Sequence, residues 1–221
     1  MPATTEICTL TLAPGTDIND PNSAAAAVLK ECNDTLASQP GFQKLWYGTA
    51  VEKPEMLQLF IDWNSKAAHE TFQAAADTYA AFRSHLAKLH TGTPHVVHVD
   101  FLPEGGVAAA LSAKVTQVAT FYFDGAPPAN AFEGAETLIT RLIGNEDVNV
   151  SGWAYGTTHE VVEKEGVRGR ANVLVMGWES VEAHAASHET RTLKENIHLL
   201  TTGDVKTYEQ VHVPATLYRR G

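Results

Sequence analysis

The chain contains one set of residues twice, in the same order, and this repeat constrains the possible folds more than any other feature. The matched pairs are Tyr47 and Tyr155 (each opening Tyr-Gly-Thr), Trp63 and Trp178, and His98 and His212 (each within Val-His-Val). Their offsets are 108, 115 and 114 residues. The offset grows by seven at residues 161–170, a charged segment with two glycines that is predicted to form an inserted hairpin loop. We interpret the chain as a tandem duplication.

The sequence between the two repeats predicts a surface linker. Pro103-Glu104-Gly105-Gly106 is followed by an Ala-rich stretch that ends at Ser112, and such small residues and turn formers are typical of connections. We therefore expect a first repeat at residues 1–103, a linker at 104–112 and a second repeat at 113–221.

Each repeat is predicted to have the order strand, helix, strand, strand, helix, strand, which is that of a ferredoxin-like unit. Alternation of Cys8, Leu10 and Leu12 with polar residues indicates the first strand. The other predicted elements of the first repeat are a helix at 23–37, strands at 42–52, 56–63 and 95–102, and a helix after Trp63. Residues 56–63 are apolar at nearly every position, so both faces of the sheet should be buried. The predicted fold class is α+β, with two fused ferredoxin-like βαββαβ repeats forming an intramolecular dimeric α/β-barrel.

Composition excludes several classes of partner. Against 26 acidic residues the chain has 16 basic ones, and a formal net charge of −10 argues against nucleic acid or an anionic membrane surface. No apolar run approaches the roughly 20 residues that span a bilayer, and the N-terminal sequence has no secretory pattern. Cys8 and Cys32 are too few for a disulfide framework, so we expect a reducing, cytoplasmic location.

Histidines that recur in both repeats are the first candidates for chemistry. His98 and His212 lie within predicted strands whose two faces should be buried, where an imidazole needs a partner and could act as a general acid or base. His69 and His184 lie early in the second helix of each repeat. On a straight helix, His69 would point about 100° away from the apolar stripe, which favours a solvent-facing residue unless the helix breaks near residues 74–76 or 185–187.

Aromatic residues form the second group of candidates. Tyr47 and Tyr155 could orient a substrate oxygen if they lie beside a histidine. Residues predicted to contact a substrate are Trp46, Trp153, Phe72, Tyr79 and Phe82. The three on the second helix of the first repeat favour that repeat as the one with the roomier, more apolar pocket, although Phe72, Tyr79 and Phe82 also read as a buried stripe.

The sequence predicts no cofactor and no metal ion. His184 and His188 have the i, i+4 spacing that can place two imidazoles on one helix face, but no third ligand is indicated, although Glu189 and His159 are available. Neither a dinucleotide-binding glycine motif nor a phosphate-binding loop nor a nucleophile-elbow motif is present.

The strand ending in Trp63 or Trp178, followed by Trp-Glu-Ser-Val-Glu-Ala at 178–183, resembles the dimeric α/β-barrel superfamily, and within it the antibiotic-biosynthesis-monooxygenase-like (ABM) domains. That resemblance covers both repeats. The family often has histidines further along this helix; His188 is nearest to that position, and the first repeat has Gln73 there. The resemblance implies a ligand cavity between sheet and helices in each unit.

The resemblance implies cofactor-independent oxygenation, or cyclisation or isomerisation, of an aromatic or polyketide-like substrate. His98 or His212 would be the base, and Tyr47 or Tyr155 would orient the substrate oxygen. Two alternatives stay open: a non-catalytic ligand-binding or stress-response barrel, and a haem-handling protein. The expected partner is a small apolar or aromatic molecule, and a homodimer of such fused pairs is also open.

Overall fold

The computed structural model describes residues 3–143, 148–201 and 203–220 and divides them into two compact units. The first unit contains the residues up to Asp100 together with those from Thr216 onward, and the second runs from Phe101 to Ala215. No helix in the described ranges is both long enough and apolar enough to cross a membrane.

The first unit has the predicted βαββαβ order, with its second helix in two pieces. Its elements are β1 (Thr4–Leu12), α1 (Ala24–Ala37), β2 (Phe42–Thr49), β3 (Met56–Trp63), α2 (Lys66–Ala74), α3 (Ala76–Leu86) and β4 (His90–Val99). These strands form an antiparallel sheet in the order β2-β3-β1-β4. This is the ferredoxin-like topology, and the prediction is confirmed.

The helix α1 shows how the local sequence forms this layer. Ser23 caps its N-terminus, where the side chain accepts a hydrogen bond from the backbone N–H of Ala26 at 2.9 Å. Its buried face, which includes Leu29, Cys32 and Leu36, belongs to the same core as Leu10 and Leu59 of the sheet. The apolar core of the unit therefore lies between the helices and one face of the sheet.

The second helix is broken near residues 74–76, the break on which an inward position of His69 was expected to depend. Ala75 has a ψ of 74°, which ends α2 and starts α3 in a new direction. Because α2 is a separate helix, its inward face is set by its own two buried residues, His69 and Phe72, and not by the stripe along α3. The break therefore turns His69 towards the sheet.

The second unit repeats this plan with insertions. Its elements are α4 (Gly106–Leu111), β5 (Val115–Tyr122), α5 (Ala131–Ile143), β6 (Gly152–Thr157), β7 (Val162–Lys164), β8 (Val167–Gly169), β9 (Ala171–Trp178), α6 (Val181–Ser187), α7 (Arg191–Asn196), a 3-10 helix (Ile197–Thr201) and β10 (Thr207–Val213). The sheet order β10-β5-β9-β6 is that of the first unit. Strands β7 and β8 form the inserted hairpin that the sequence predicts. The second helix is again broken, here between α6 and α7.

Residues 104–112, predicted as a surface linker, contain α4, which packs on the sheet of the second unit. Val107, Ala110 and Leu111 of this helix are buried. Thr116 of β5 donates a hydrogen bond to the carbonyl of Ala110 at 2.8 Å. A Cβ atom on Gly152 of β6 would lie only 2.5 Å from the Cβ of Ala109, so glycine is needed for this close approach. Thr116 alternates with the core-facing Val115 and Gln117, so α4 covers the face opposite α5 and α6.

The last described residues return to the first unit. Strand β11 (Thr216–Leu217) pairs with β2 opposite Tyr47 and Trp46. The backbone N–H of Tyr218 donates to the carbonyl of Leu45 at 2.8 Å. Residues 216–218 thus extend the first sheet, whereas the sequence pattern places them with the second repeat.

Candidate functional site

The first unit contains a buried pair of histidines. His69 comes from α2 and His98 from β4, and the Nδ1 atom of His69 lies 2.7 Å from the Nε2 atom of His98. Their exposed fractions are 3% and 5%. Two of the sequence candidates that are 29 residues apart are therefore joined by a hydrogen bond inside the core.

The second unit contains the same pair in the same geometry. The Nδ1 atom of His184, on α6, lies 2.8 Å from the Nε2 atom of His212, on β10. Both rings are buried. In both units the same ring nitrogens meet, so the duplication covers this polar pair as well as the fold.

A tryptophan adjoins each histidine pair. The indole of Trp63 stacks on His69 with ring centroids 5.2 Å apart, and Trp178 contacts His184 with centroids 4.7 Å apart. Both indoles are almost fully buried. Each indole N–H also donates a hydrogen bond to a residue of the first strand of its unit, which sequence reasoning missed.

That missed residue is Glu6 in the first unit and Gln117 in the second. The Nε1–H of Trp63 donates to Oε2 of Glu6 at 2.9 Å, and that of Trp178 donates to Oε1 of Gln117 at 3.1 Å. Glu6 lies opposite His98 on the neighbouring strand, and Gln117 lies opposite His212. The available signal was the dipeptide Thr-Glu at 5–6 matching Thr-Gln at 116–117.

The exchange of Glu6 for Gln117 gives the two pairs different electrostatics. In the first unit, a carboxylate oxygen of Glu6 lies 3.3 Å from Nδ1 of His69. In the second, the amide of Gln117 is neutral, and its nitrogen donates to Gln210 at 2.9 Å. The first pair therefore lies beside a group that can carry a negative charge, and the second lies beside a neutral amide.

A third histidine extends the pair in the second unit. The Nε2 atom of His188 lies 3.2 Å from the Nε2 atom of His184. His188 is exposed, whereas His184 and His212 are buried. Because an imidazole can donate on one nitrogen and accept on the other, the row His188–His184–His212 can pass a proton between solvent and the core.

His184 and His188 border a cavity of about 170 Å³ between the sheet and the helices of the second unit. His184, His188 and Gln117 supply polar atoms to its wall. Its apolar wall includes Ala119, Phe121, Leu138, Leu142, Leu174, Met176 and Trp178. The cavity combines an apolar lining with a few convergent polar groups, which is typical of small-molecule sites.

The corresponding space in the first unit is occupied by an aromatic side chain. Phe72 is 2% exposed and contacts Tyr79 and Phe82, with ring centroids 5.1 and 5.4 Å away. Phe72 is a core residue of the first unit, and Tyr79 and Phe82 are partly buried and pack against that core. Phe72 therefore fills the space beside the histidine pair that it was expected to line, whereas Phe82 lines a separate space of about 450 Å³ between α1 and α3.

The two candidate tyrosines lie far from the histidine pairs. Tyr47 on β2 is three strand positions from His98 on β4, and Tyr155 on β6 is three from His212 on β10, or about 14 Å across the sheet. Burial raises the pKa of Tyr155, and the carboxylate of Glu136, which accepts its hydrogen bond, raises it further. The structure thus does not bring phenol and imidazole together as the sequence pattern suggests.

The remaining two tryptophans occupy different faces of their sheets. Trp153 lies on the helix side, where its ring stacks on Tyr155 with centroids 5.8 Å apart. Trp46 is buried on the opposite face, because it alternates with the core-facing Leu45 and Tyr47. The strand register pairs Trp46 with Phe60 and Trp153 with Met176, so they are not equivalent positions.

Comparison with solved structures identifies the same architecture elsewhere. A protein named "putative monooxygenase" from Lactobacillus acidophilus superposes with a TM-score of 0.58 at 16% identity, over 98% of this chain and 96% of that chain. One with the same name from Fusobacterium nucleatum gives a TM-score of 0.60 at 11% identity, over 100% and 95%. An anthrone oxidase-like protein gives 0.66 at 11% identity, over 96% and 91%.

At these identities the likeness concerns the fold. No protein-family model matches the chain, and no curated protein sequence matches it. The whole-length superpositions agree with the two ferredoxin-like units described above. The chain therefore shares the fold of these proteins, and its own two units are ferredoxin-like repeats fused in one polypeptide.

Proposed function

We propose that the chain is an enzyme that removes a proton from a small aromatic or polyketide-like substrate in the cavity of the second unit. The anion so formed would then react with O₂ without a cofactor. The observation that carries this proposal is the apolar cavity with His184 and His188 in its wall and His212 hydrogen-bonded behind His184.

The lining of the cavity supports the substrate class. Phe121, Leu138, Leu142 and Met176 offer apolar surface to a flat ring system. Burial of such a ring contributes about 25 cal/mol for each Å² of apolar area removed from water. A hydroxyl or enol group would then be oriented by the polar atoms at one side of the cavity.

His184 is the proposed base. Its Nδ1 atom is bonded to His212, which fixes the ring, while its Nε2 side faces His188. The substrate O–H would give its proton to Nε2 of His184, and exposed His188 would pass the proton to solvent. His212 would act as a positioning residue, because it contacts His184 and does not line the cavity.

The oxygen chemistry needs no group beyond the substrate and O₂. The enolate transfers one electron to O₂, and the two radicals join in a C–O bond, which gives a hydroperoxide after proton uptake. In the keto form of such a substrate, the carbon that reacts with O₂ is a CH₂ group. Loss of water from the hydroperoxide converts this carbon to a ketone, so that one O₂ yields one ketone oxygen and one water. The similar protein named anthrone oxidase-like favours oxygenation over cyclisation as the first reaction to test.

The test is O₂ uptake with anthrone and other hydroxylated polycyclic aromatics, measured for the full chain. His184→Gln should lower turnover by about 10²- to 10⁴-fold, the usual contribution of a general base. The matched control is His69→Gln, which alters the equivalent histidine of the first unit and should retain turnover. Both variants are checked for folding by circular dichroism.

Three other outcomes would each indicate a different function for the chain. Product without O₂ consumption would replace oxygenation by cyclisation or isomerisation. Binding of the aromatic compounds without turnover would favour a ligand-binding protein. A shifted Soret band on addition of haemin, with no turnover of the aromatic compounds, would favour haem handling.

A further inference from the structure

We propose that Glu6, His69 and His98 of the first unit bind one divalent transition-metal ion. One ligand atom from each of these residues lies within 4.8 Å of the other two. All three side chains are buried, with exposed fractions of 5%, 3% and 5%. The three residues come from three different elements, β1, α2 and β4, which hold them against one another.

The donor set fits this class of ion. Two imidazole nitrogens and one carboxylate oxygen are the protein ligands of many catalytic Zn²⁺ sites, and a similar set binds Fe²⁺ in non-haem iron proteins. Such sites leave further coordination positions for water or a ligand. The proposal therefore specifies Zn²⁺, Co²⁺ or Fe²⁺ rather than Ca²⁺ or Mg²⁺, which prefer oxygen ligands.

The two distances that join His69 to the other proposed ligands require only a small adjustment. Ligands about 2.05 Å from a tetrahedral ion lie about 3.3 Å from each other. The Oε2 atom of Glu6 already lies 3.3 Å from Nδ1 of His69. The Nδ1 atom of His69 and the Nε2 atom of His98 are 2.7 Å apart, so the two imidazoles would separate by about 0.6 Å when an ion binds.

Trp63 supplies the outer support that metal ligands usually have. Its indole N–H donates to Oε2 of Glu6, and its ring stacks on His69. It therefore holds two of the three proposed ligands in place. Outer hydrogen-bond partners of this kind orient ligands and strengthen metal binding.

The second unit provides an internal comparison. It retains the histidine pair and the tryptophan but has Gln117 in place of Glu6. A neutral amide oxygen is a weaker ligand than a carboxylate, and it does not offset the charge of a buried cation. The two repeats would thus have diverged, with the metal ion in the first unit and the open cavity in the second.

The test is titration of the full, chelator-treated chain with Co²⁺, followed by its visible d–d absorption, and then displacement by Zn²⁺. The wild-type chain should bind one Co²⁺ at this site. Glu6→Gln should weaken that binding by more than about 100-fold, because loss of an outer partner alone typically costs about 10- to 100-fold. Gln at this position can still accept the Trp63 hydrogen bond, as Gln117 does from Trp178.

His98→Gln gives a second variant should Glu6→Gln fail to fold, and it should weaken Co²⁺ binding similarly. The control is His212→Gln, which alters the equivalent residue of the second unit and should leave the Co²⁺ affinity unchanged. Equal Co²⁺ affinity in the wild type and Glu6→Gln, or loss of binding in His212→Gln alone, would overturn the proposal. Neither the Co²⁺ absorption nor the displacement of Co²⁺ by Zn²⁺ depends on enzymatic activity.

Discussion

Ser187 occupies in the second unit the position that Phe72 occupies in the first, three residues after the buried histidine on the equivalent helix. The Phe72 ring is packed among Trp63, Tyr79 and Phe82. Ser187 is equally buried, but its hydroxyl donates to the carbonyl of His184 at 2.6 Å and fills little volume. This one exchange removes an aromatic ring from beside His184 and opens the cavity to that residue.

Ser187→Phe should therefore close the cavity of the second unit. We expect binding of aromatic ligands to fall at least about tenfold, with a stability cost of about 1–3 kcal/mol if the new ring is strained. Ligand titration by fluorescence measures the first effect and urea denaturation the second. Ala186→Phe, on the exposed side of the same helix, is the control. Undiminished ligand binding in Ser187→Phe would place the ligand elsewhere.

Phe72→Ala should lower the free energy of unfolding of the first unit. Loss of this buried ring leaves a hole beside Tyr79 and Phe82, and such changes cost about 3–5 kcal/mol. Urea denaturation followed by circular dichroism measures the loss. Phe82→Ala should cost less, because Phe82 is only partly buried. A loss below about 1 kcal/mol would mean that the surrounding core closes over the hole.

Asp62→Asn should stabilise the chain at neutral pH. Burial raises the pKa of Asp62, and the hydrogen bond from Thr5, at 2.7 Å, opposes this only in part. Below the unfolded-state pKa of about 3.9, Asp62 is protonated in both the folded and the unfolded chain. Because the folded-state pKa is higher, the wild-type chain loses stability as pH rises through that folded-state pKa. The gain from Asn should thus be present at pH 7 and vanish in acid.

The measurement for this prediction is urea denaturation of wild type and Asp62→Asn at several pH values. Asn can keep the role of acceptor for Thr5, so the hydrogen bond should survive. The control is Asp77→Asn at an exposed position of α3. A gain in stability from Asp62→Asn that stays constant down to acid pH would show that ionisation is not its cause.

Cys8 and Cys32 should resist thiol reagents in the native chain. Both are buried. Burial raises the pKa of Cys8 well above its usual range and that of Cys32 to about 12, so little thiolate forms near neutral pH. Ellman's reagent at pH 8 should detect no thiol until guanidinium is added and two per chain afterwards. Rapid labelling of the folded chain would show that the core of the first unit opens readily.

The repeat and its topology could be predicted because the matched residues occupy defined positions in the sheet. Tyr47 lies opposite Leu59, and Tyr155 lies opposite the equivalent Leu174. Hydrophobic alternation and the order of elements depend on local sequence, so both can be read from a single chain. The histidines were found for the same reason, since each occurs in both repeats.

The assembly of the site could not be predicted, because it depends on packing between elements. Ala75 is a good helix former, so nothing local marks the break that turns His69 inward. Glu6 was not predicted as a site residue because its counterpart in the second repeat is Gln117, and the repeat was recognised from identical residues. The short helix at Gly106–Leu111 was missed because its three alanines and one glycine are equally typical of a connection.

The pairing of Thr216–Leu217 with β2 has a consequence for how the two halves can be separated. Since Tyr218 also donates its hydroxyl to Asp34 and its amide to Leu45, the tail is fastened to the first module at three places. Along the chain, the second unit therefore lies between two segments of the first. If the polypeptide were cut between the two repeats, the N-terminal fragment would lack the edge strand β11. The C-terminal fragment would carry β11 without β2, the strand with which it pairs.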